Sequence, residues 1–286
     1  MTFKQATRHR LFIALKCAGI IFTHKSLVIF PCISMSFACT VLGFFYFTVG
    51  PDKMQLMLNT LRNEQGVQTI NVSYYGALAV ALYLVVALAT AMNFALINCI
   101  SIGLDGKNAR ILEGLTAAGR RLPAVFAWSI LSITLGALWT LFDQERRSSV
   151  FLRRRFGNTW NNMSMLAVPI TVLENQNIVT AVLRSRMLLQ DTWGRNVSAS
   201  FGTIWFLVIL NFPLLIKYIF LRMSGMGITL PFAEFALLYI ACTLILTQTA
   251  KAVFKVVLYR FAAKGVASGG FDRETLECAF QRAESA

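Results

Sequence analysis

The sequence predicts an all-α, polytopic membrane protein. Residues 26–49 (SLVIFPCISMSFACTVLGFFYFTV) contain no charge, and that run is long enough to cross a hydrocarbon core of about 30 Å as a helix. Comparable apolar runs recur from end to end, and the mean hydropathy is +0.61. Only 14% of the 286 residues are charged, against about 25% in a typical soluble domain. The even spread of these runs predicts one integral membrane domain rather than a soluble module with an anchor.

Residues 1–25 mix Leu11, Leu15, Ile20 and Phe22 with Arg8, Arg10, Lys16 and Lys25. This pattern predicts an amphipathic helix lying in the interface, since its charges are costly in hydrocarbon. Residues 26–263 are expected to hold about six apolar segments and their connections. In the first, 26–49, Pro31 is tolerable in the first turn, and Gly50-Pro51-Asp52 ends the helix. The second runs over 75–104. Its Ala87, Ala91 and Ala95 repeat at four-residue spacing, which lets a neighbouring helix approach closely. Asn93 and Asn98 place amides at membrane depth, for interhelical hydrogen bonds or for a ligand or ion path.

Ile111, Leu112, Leu115 and Leu122 alternate with Lys107, Arg110, Glu113, Arg120 and Arg121, predicting a short surface helix before Pro123. The third and fourth apolar segments, 124–142 and 158–174, are short, and Pro169 interrupts the latter. Between them lie Arg146, Arg147, Arg153, Arg154 and Arg155. Full crossing by both segments would put these arginines outside, against the positive-inside tendency. A tilted hairpin and a re-entrant pair both return the chain to the same side. Residues 175–196 predict a second surface helix. The fifth run, 198–221, is expected to bend at Pro213, which deletes a helical hydrogen bond. The sixth, 230–250, continues past the inner boundary through Lys251, Lys255 and Arg260. Residues 264–286 are expected to form a cytoplasmic tail, helical from Asp272. An even number of crossings puts both termini in the cytoplasm.

The net charge is +14, from 27 Lys and Arg against 13 Asp and Glu. Basic residues concentrate in short connections between apolar runs. That placement favours anionic lipid, at about 1 kcal/mol per contact, over nucleic acid. Arg153, Arg154 and Arg155, flanked by Phe151, Leu152 and Phe156, are candidate lipid-phosphate contacts, because guanidinium groups bind phosphate bidentately.

Little here supports catalysis. The histidines are His9 and His24 alone, and HExxH, GxSxG and P-loop patterns are missing. The six cysteines form no CxxC pair, and four lie in apolar runs as small hydrophobes. No catalytic, cofactor or metal residue is expected. Glu174 is the acid with most to explain. It is placed to cap the following helix, to pair with Arg184, Arg186 or the arginine-rich segment, or to bind a proton or cation at a broken helix; the structural roles have the readier partners.

The run NTWNNMSMLAVPITVLENQNIVTAVLRSRMLLQDTWG carries Trp160, Val168-Pro169, Glu174, Ala181 to Ser185, and Trp193-Gly194. It resembles an uncharacterised family, a domain of unknown function, of polytopic membrane proteins in bacteria and archaea. The preceding NFALINCISIGLDGKNARILEGLTAAGRRLPAVFAWSILSITLG is similar to that family too. A weaker likeness is to membrane domains attached to glycerophosphodiester phosphodiesterases, whose catalytic domain has no counterpart here. The resemblance implies architecture and no reaction; the expected location is a bacterial inner membrane. The expected role is a non-enzymatic scaffold, accessory subunit or lipid-organising component, contacting anionic lipid and a protein partner or further copies of itself. The alternative is a small transporter or permease subunit.

Overall fold

Uncharged apolar runs without internal breakers become long helices. The computed structural model describes residues 3–50, 72–144, 164–194, 203–223 and 230–277, and its regular elements there are helical. In order they are α1 (Phe3–Thr23), a 3-10 turn (Lys25–Val28), α2 (Ile29–Val49), α3 (Val72–Leu104), α4 (Ile111–Gly119) and α5 (Leu122–Gln144). Then follow α6 (Ala167–Leu173), α7 (Ile178–Trp193), α8 (Thr203–Met223), α9 (Leu230–Lys264) and α10 (Arg273–Glu277).

Helices α3 and α9 have 33 and 35 residues, about 50 Å each at 1.5 Å per residue. Both exceed a hydrocarbon core of about 30 Å. Burial divides each helix in two. In α3 the buried residues cluster at Phe94–Ile100, and in α9 at Ala250–Phe261. The preceding halves expose Val80, Leu82 and Leu84 in α3, and Leu237 and Leu238 in α9. Helix α2 is buried at its start, around Phe30, and exposes Phe44 and Phe47 at its far end. Helix α5 likewise starts buried, at Val125 and Trp128. The protein is thus a packed head from which apolar rods project: α2 and α5 leave it, α3 and α9 return to it.

Among the described residues, three helices are long and apolar enough to cross a membrane: Lys25–Thr48, Gly76–Leu104 and Phe232–Lys264. They correspond to the first, second and sixth expected segments. Leu122–Leu135 and Leu210–Phe220 are shorter apolar stretches of α5 and α8. The described part of the fourth segment is α6, seven residues walled by α3, α7 and α9, with Ala167, Pro169, Ile170, Thr171 and Val172 buried. The arginine-rich connection, with Arg153, Arg154 and Arg155, lies outside the described residues. Helix α8 carries on through Pro213. Close to that interruption, the Leu210 carbonyl accepts a 2.7 Å hydrogen bond from the Tyr239 hydroxyl of α9.

Helix α1 is two-sided. Ile13, Ala14, Cys17 and Ile21 are buried in the head, while Phe12, Leu15 and Phe22 are exposed. The carboxyl-terminal segment is more than a tail. As far as Glu277 it belongs to the head: Phe271 and Leu276 are buried, Lys16 Nζ donates to the Gly270 carbonyl at 3.0 Å, and Trp193 Nε1 donates to the Leu276 carbonyl at 2.9 Å. The first of these bonds joins the two ends of the described chain, and the second ties the carboxyl-terminal segment to α7.

Small residues set the closest approach in the head. Gly114 and Ala118 are the buried residues of α4, and α4 lies across α3 beside Ala95, which is fully buried. A Cβ at position 114 would stand 2.6 Å from Cys99 Sγ and 2.8 Å from the Ala95 carbonyl oxygen. The thiol can turn away, but the backbone oxygen cannot. Gly114→Ala is therefore expected to destabilise the protein by about 1–3 kcal/mol, the range for overpacking, read as a lowered thermal midpoint in detergent.

The Cys17 thiol is enclosed in the head, and burial pushes its pKa from 9.0 up to about 12. The thiolate is the reactive form, so maleimide should leave native Cys17 unmodified at pH 8 and label it after denaturation. Unfolded chains release this proton near pH 9, whereas native protein holds it to about pH 12. Its stabilising contribution is therefore complete below pH 9 and is lost as the pH rises through that window.

Candidate functional site

Besides the ties of the carboxyl-terminal segment, three polar junctions among the described residues of the head end on helix termini. The carboxyl-terminal end of α3 leaves carbonyls without intrahelical partners. Arg260 of α9, 7% exposed, reaches that end. One of its terminal nitrogens donates to the Ser101 carbonyl at 2.6 Å, to Ser101 Oγ at 3.1 Å and to Asp105 Oδ1 at 2.7 Å. A cation there opposes the negative end of the helix dipole. At the second site, Arg121, just before α5, donates to the Thr171 carbonyl in α6. The Thr171 hydroxyl lies 3.5 Å from Trp128 Nε1 and itself donates to the Ala167 carbonyl at 2.9 Å.

Glu174 is the third junction. It is the residue that closes α6, not a cap on α7, whose preceding residue is Asn177. Asn175 follows with φ of 58°, a left-handed conformation that asparagine tolerates better than most residues, and this reverses the chain into α7. The Glu174 carboxylate takes Arg184 Nε at 2.5 Å and the Tyr259 hydroxyl at 3.0 Å. Of the expected partners Arg184 is engaged, and Arg186 is exposed. One carboxylate thereby ties α6 to α7 and to α9. Ser185 adds a further tie, its hydroxyl accepting the Leu166 N–H at 3.2 Å.

The amides of α3 diverge. Asn98 Nδ2 sits 3.5 Å from the Glu113 carbonyl of α4, at the limit for a hydrogen bond. Asn93 instead faces two cavities. One, of about 500 Å³, lies between α2, α3 and α9 and is lined by Ser34, Thr90, Asn93, Gln248, Lys251 and Lys255 among apolar neighbours. The other, of about 340 Å³, lies toward α5 and α6 and shares Thr90, Asn93 and Lys255 with the first. Both lysines are half-buried.

Sequence reasoning thus located Asn93, Glu174 and Arg184 but missed Tyr259, Arg121 and the inward roles of Lys251, Lys255 and Arg260. The available signal was cations recurring on an apolar helix, which reads equally well as a helix emerging into water. Among the described residues, no group of three or more His, Cys, Asp or Glu side chains is arranged to hold a metal ion.

Two substitutions test the cross-links. Arg260→Met should lower stability by about 1–3 kcal/mol, because it removes the partner of Asp105 and one of the two donors to the Ser101 carbonyl, which keeps the Asp105 N–H at 3.3 Å. Asp105 is 55% exposed, so solvent screening keeps the loss below that of a fully buried pair. Glu174→Gln should cost about 1 kcal/mol, since Arg184 is 49% exposed, and Tyr259→Phe should add little in that background. Thermal midpoints of the single and double variants check both.

Comparison with known proteins agrees with the expectation of an uncharacterised family. No curated protein and no solved structure matches the chain. Residues 70–270, covering α3 to the loop before α10, match a family model described as a family of unknown function (DUF6159). The cavity lining on α3, α5, α6 and α9 and the three cross-links all fall inside that match, and the chain belongs to this family of unknown function.

Proposed function

We propose that the protein is a non-enzymatic component of a bacterial inner membrane that organises lipid, or seats a partner subunit, at the cytoplasmic face. The observation that carries this reading is the division between apolar rods and packed head. Helices α2 and α3 contain no charged residue, whereas the head exposes Lys107, Arg110, Arg120, Arg184, Arg186 and Arg273. By the positive-inside tendency the head is cytoplasmic, and both termini with it. The outer face of α1, with Phe12, Leu15 and Phe22 exposed, then lies against the inner leaflet as an interfacial helix. The third and fourth apolar segments make up a shorter pair beside the three long spans. Arg153, Arg154 and Arg155 add lipid-phosphate contacts. Buried polar groups in the head engage one another, the arrangement of a rigid platform.

The transporter reading draws on the cavities around Asn93, which lie where the rods meet the head. One experiment tests the placement and a second separates the two roles. The full chain, expressed in bacterial cells, should stay in the membrane pellet after alkaline carbonate, with tags at both termini reachable only after the inner membrane is opened. Release into the supernatant, or a tag exposed on the outer face, would reject the proposed placement. Solute uptake by proteoliposomes that is lost in Asn93→Leu at normal abundance would replace the scaffold with a permease.

A further inference from the structure

The larger cavity sits at the boundary between rods and head. On α9, Gln248, Lys251 and Lys255 follow at three- and four-residue spacing, so they share one helix face, and all three line the cavity. Like charges four residues apart on a helix repel, and here both are half-buried. Nothing described compensates them. Among the described residues no carboxylate pairs with Lys251 or Lys255. The two acids anchored in the neighbouring head are already engaged, Glu174 by Arg184 and Tyr259 and Asp105 by Arg260.

The hydrogen-bonding groups of the lining divide in the same sense. The hydroxyls of Ser34 and Thr90 donate back to carbonyls of their own helices, Pro31 and Val86. Their protons are committed. Asn93, Gln248, Lys251 and Lys255 have no hydrogen-bond or ion-pair partner among the described residues. Two ammonium groups and two amides therefore face one space with donors to give. Toward the rods the wall turns apolar, at Val85 and Leu244. The volume of about 500 Å³ is within the usual range for small-molecule sites.

We propose that this cavity binds a phosphate group, presented by the headgroup of an acidic phospholipid whose acyl chain lies along the apolar wall. The phosphate bridges Lys251 and Lys255 and takes amide protons from Asn93 and Gln248. It supplies the negative charge that the two lysines lack, at the depth where inner-leaflet phosphates sit. This rests on the membrane placement proposed above and gives its lipid-organising role a site.

The test uses the full chain purified in mild detergent, exchanged free of native lipid, and placed in nanodiscs of phosphatidylcholine with or without phosphatidylglycerol. Wild type should retain phosphatidylglycerol through a second detergent extraction, read by mass spectrometry, and its thermal midpoint should rise with that lipid. Lys251→Gln/Lys255→Gln should retain at least tenfold less, and Lys255→Arg should retain it as wild type does. Asn93→Asp keeps the side-chain volume and sets a carboxylate beside the lysines. It should abolish retention and raise the lipid-free midpoint, which decides the matter if the double variant does not fold.

A parallel arm adds inorganic phosphate to phosphatidylcholine discs. A rise in midpoint there, lost in Asn93→Asp, supports the phosphate site with a soluble source; a rise with phosphatidylglycerol alone supports the lipid. Equal retention by wild type and Asn93→Asp overturns the site. If carbonate extraction still leaves the protein in the pellet, that failure belongs to the cavity and not to the membrane reading.

Discussion

A mismatch of length governs this structure. Helices α3 and α9 run about 50 Å each, and a bilayer offers about 30 Å of hydrocarbon. About 20 Å of each helix must therefore find another environment. Exposed to water, those lengths would leave Phe94, Ile97, Ile100, Val253, Val257 and Leu258 uncovered, all of which are nearly or fully buried. The short elements supply the cover. Helices α1, α4, α6 and α7 bring little spanning length and pack against the overhanging ends, and α10 adds Leu276 to the same core.

The polar cross-links follow from that arrangement. A head built where helices start and stop collects unsatisfied termini, and this one resolves them with side chains from distant elements. Arg260 closes α3, Arg121 closes α6, and Glu174 draws α7 and α9 onto the end of α6. Such bonds have more geometric consequence than the apolar contacts around them, since each fixes an angle between two helices as well as a distance. Gly114 acts in the complementary sense: by having no side chain it sets how near α4 can lie to α3.

The same geometry separates two kinds of cation on one helix. Arg260 lies deep in the head and meets a carboxylate, a hydroxyl and a carbonyl. Lys251 and Lys255, about two and a half and one and a half turns earlier, meet a cavity. Arginine's planar fork suits several fixed acceptors, whereas lysine is a point charge on a flexible stem. The residue types therefore match their settings, a fixed junction in one case and an occupiable space in the other.

Much of this protein was determined by its sequence alone. Uncharged runs of spanning length decide the membrane class. Gly50-Pro51 and Asp105-Gly106 mark where α2 and α3 stop, and the mixed segments around Arg110 and Arg184 form the short helices α4 and α7. Glu174 was also legible, because a carboxylate beside a proline-interrupted run needs a partner, and Arg184 stood at hand. Only the tertiary structure decided which partner helix each polar residue meets. Periodicity places a residue on a face of its own helix and is silent about what stands opposite. Lys251, Lys255 and Arg260 read as a helix leaving the membrane. The packing of α1, α4, α6, α7 and α10 around that end turned their environment inward, because apolar surface beyond the bilayer must still be covered.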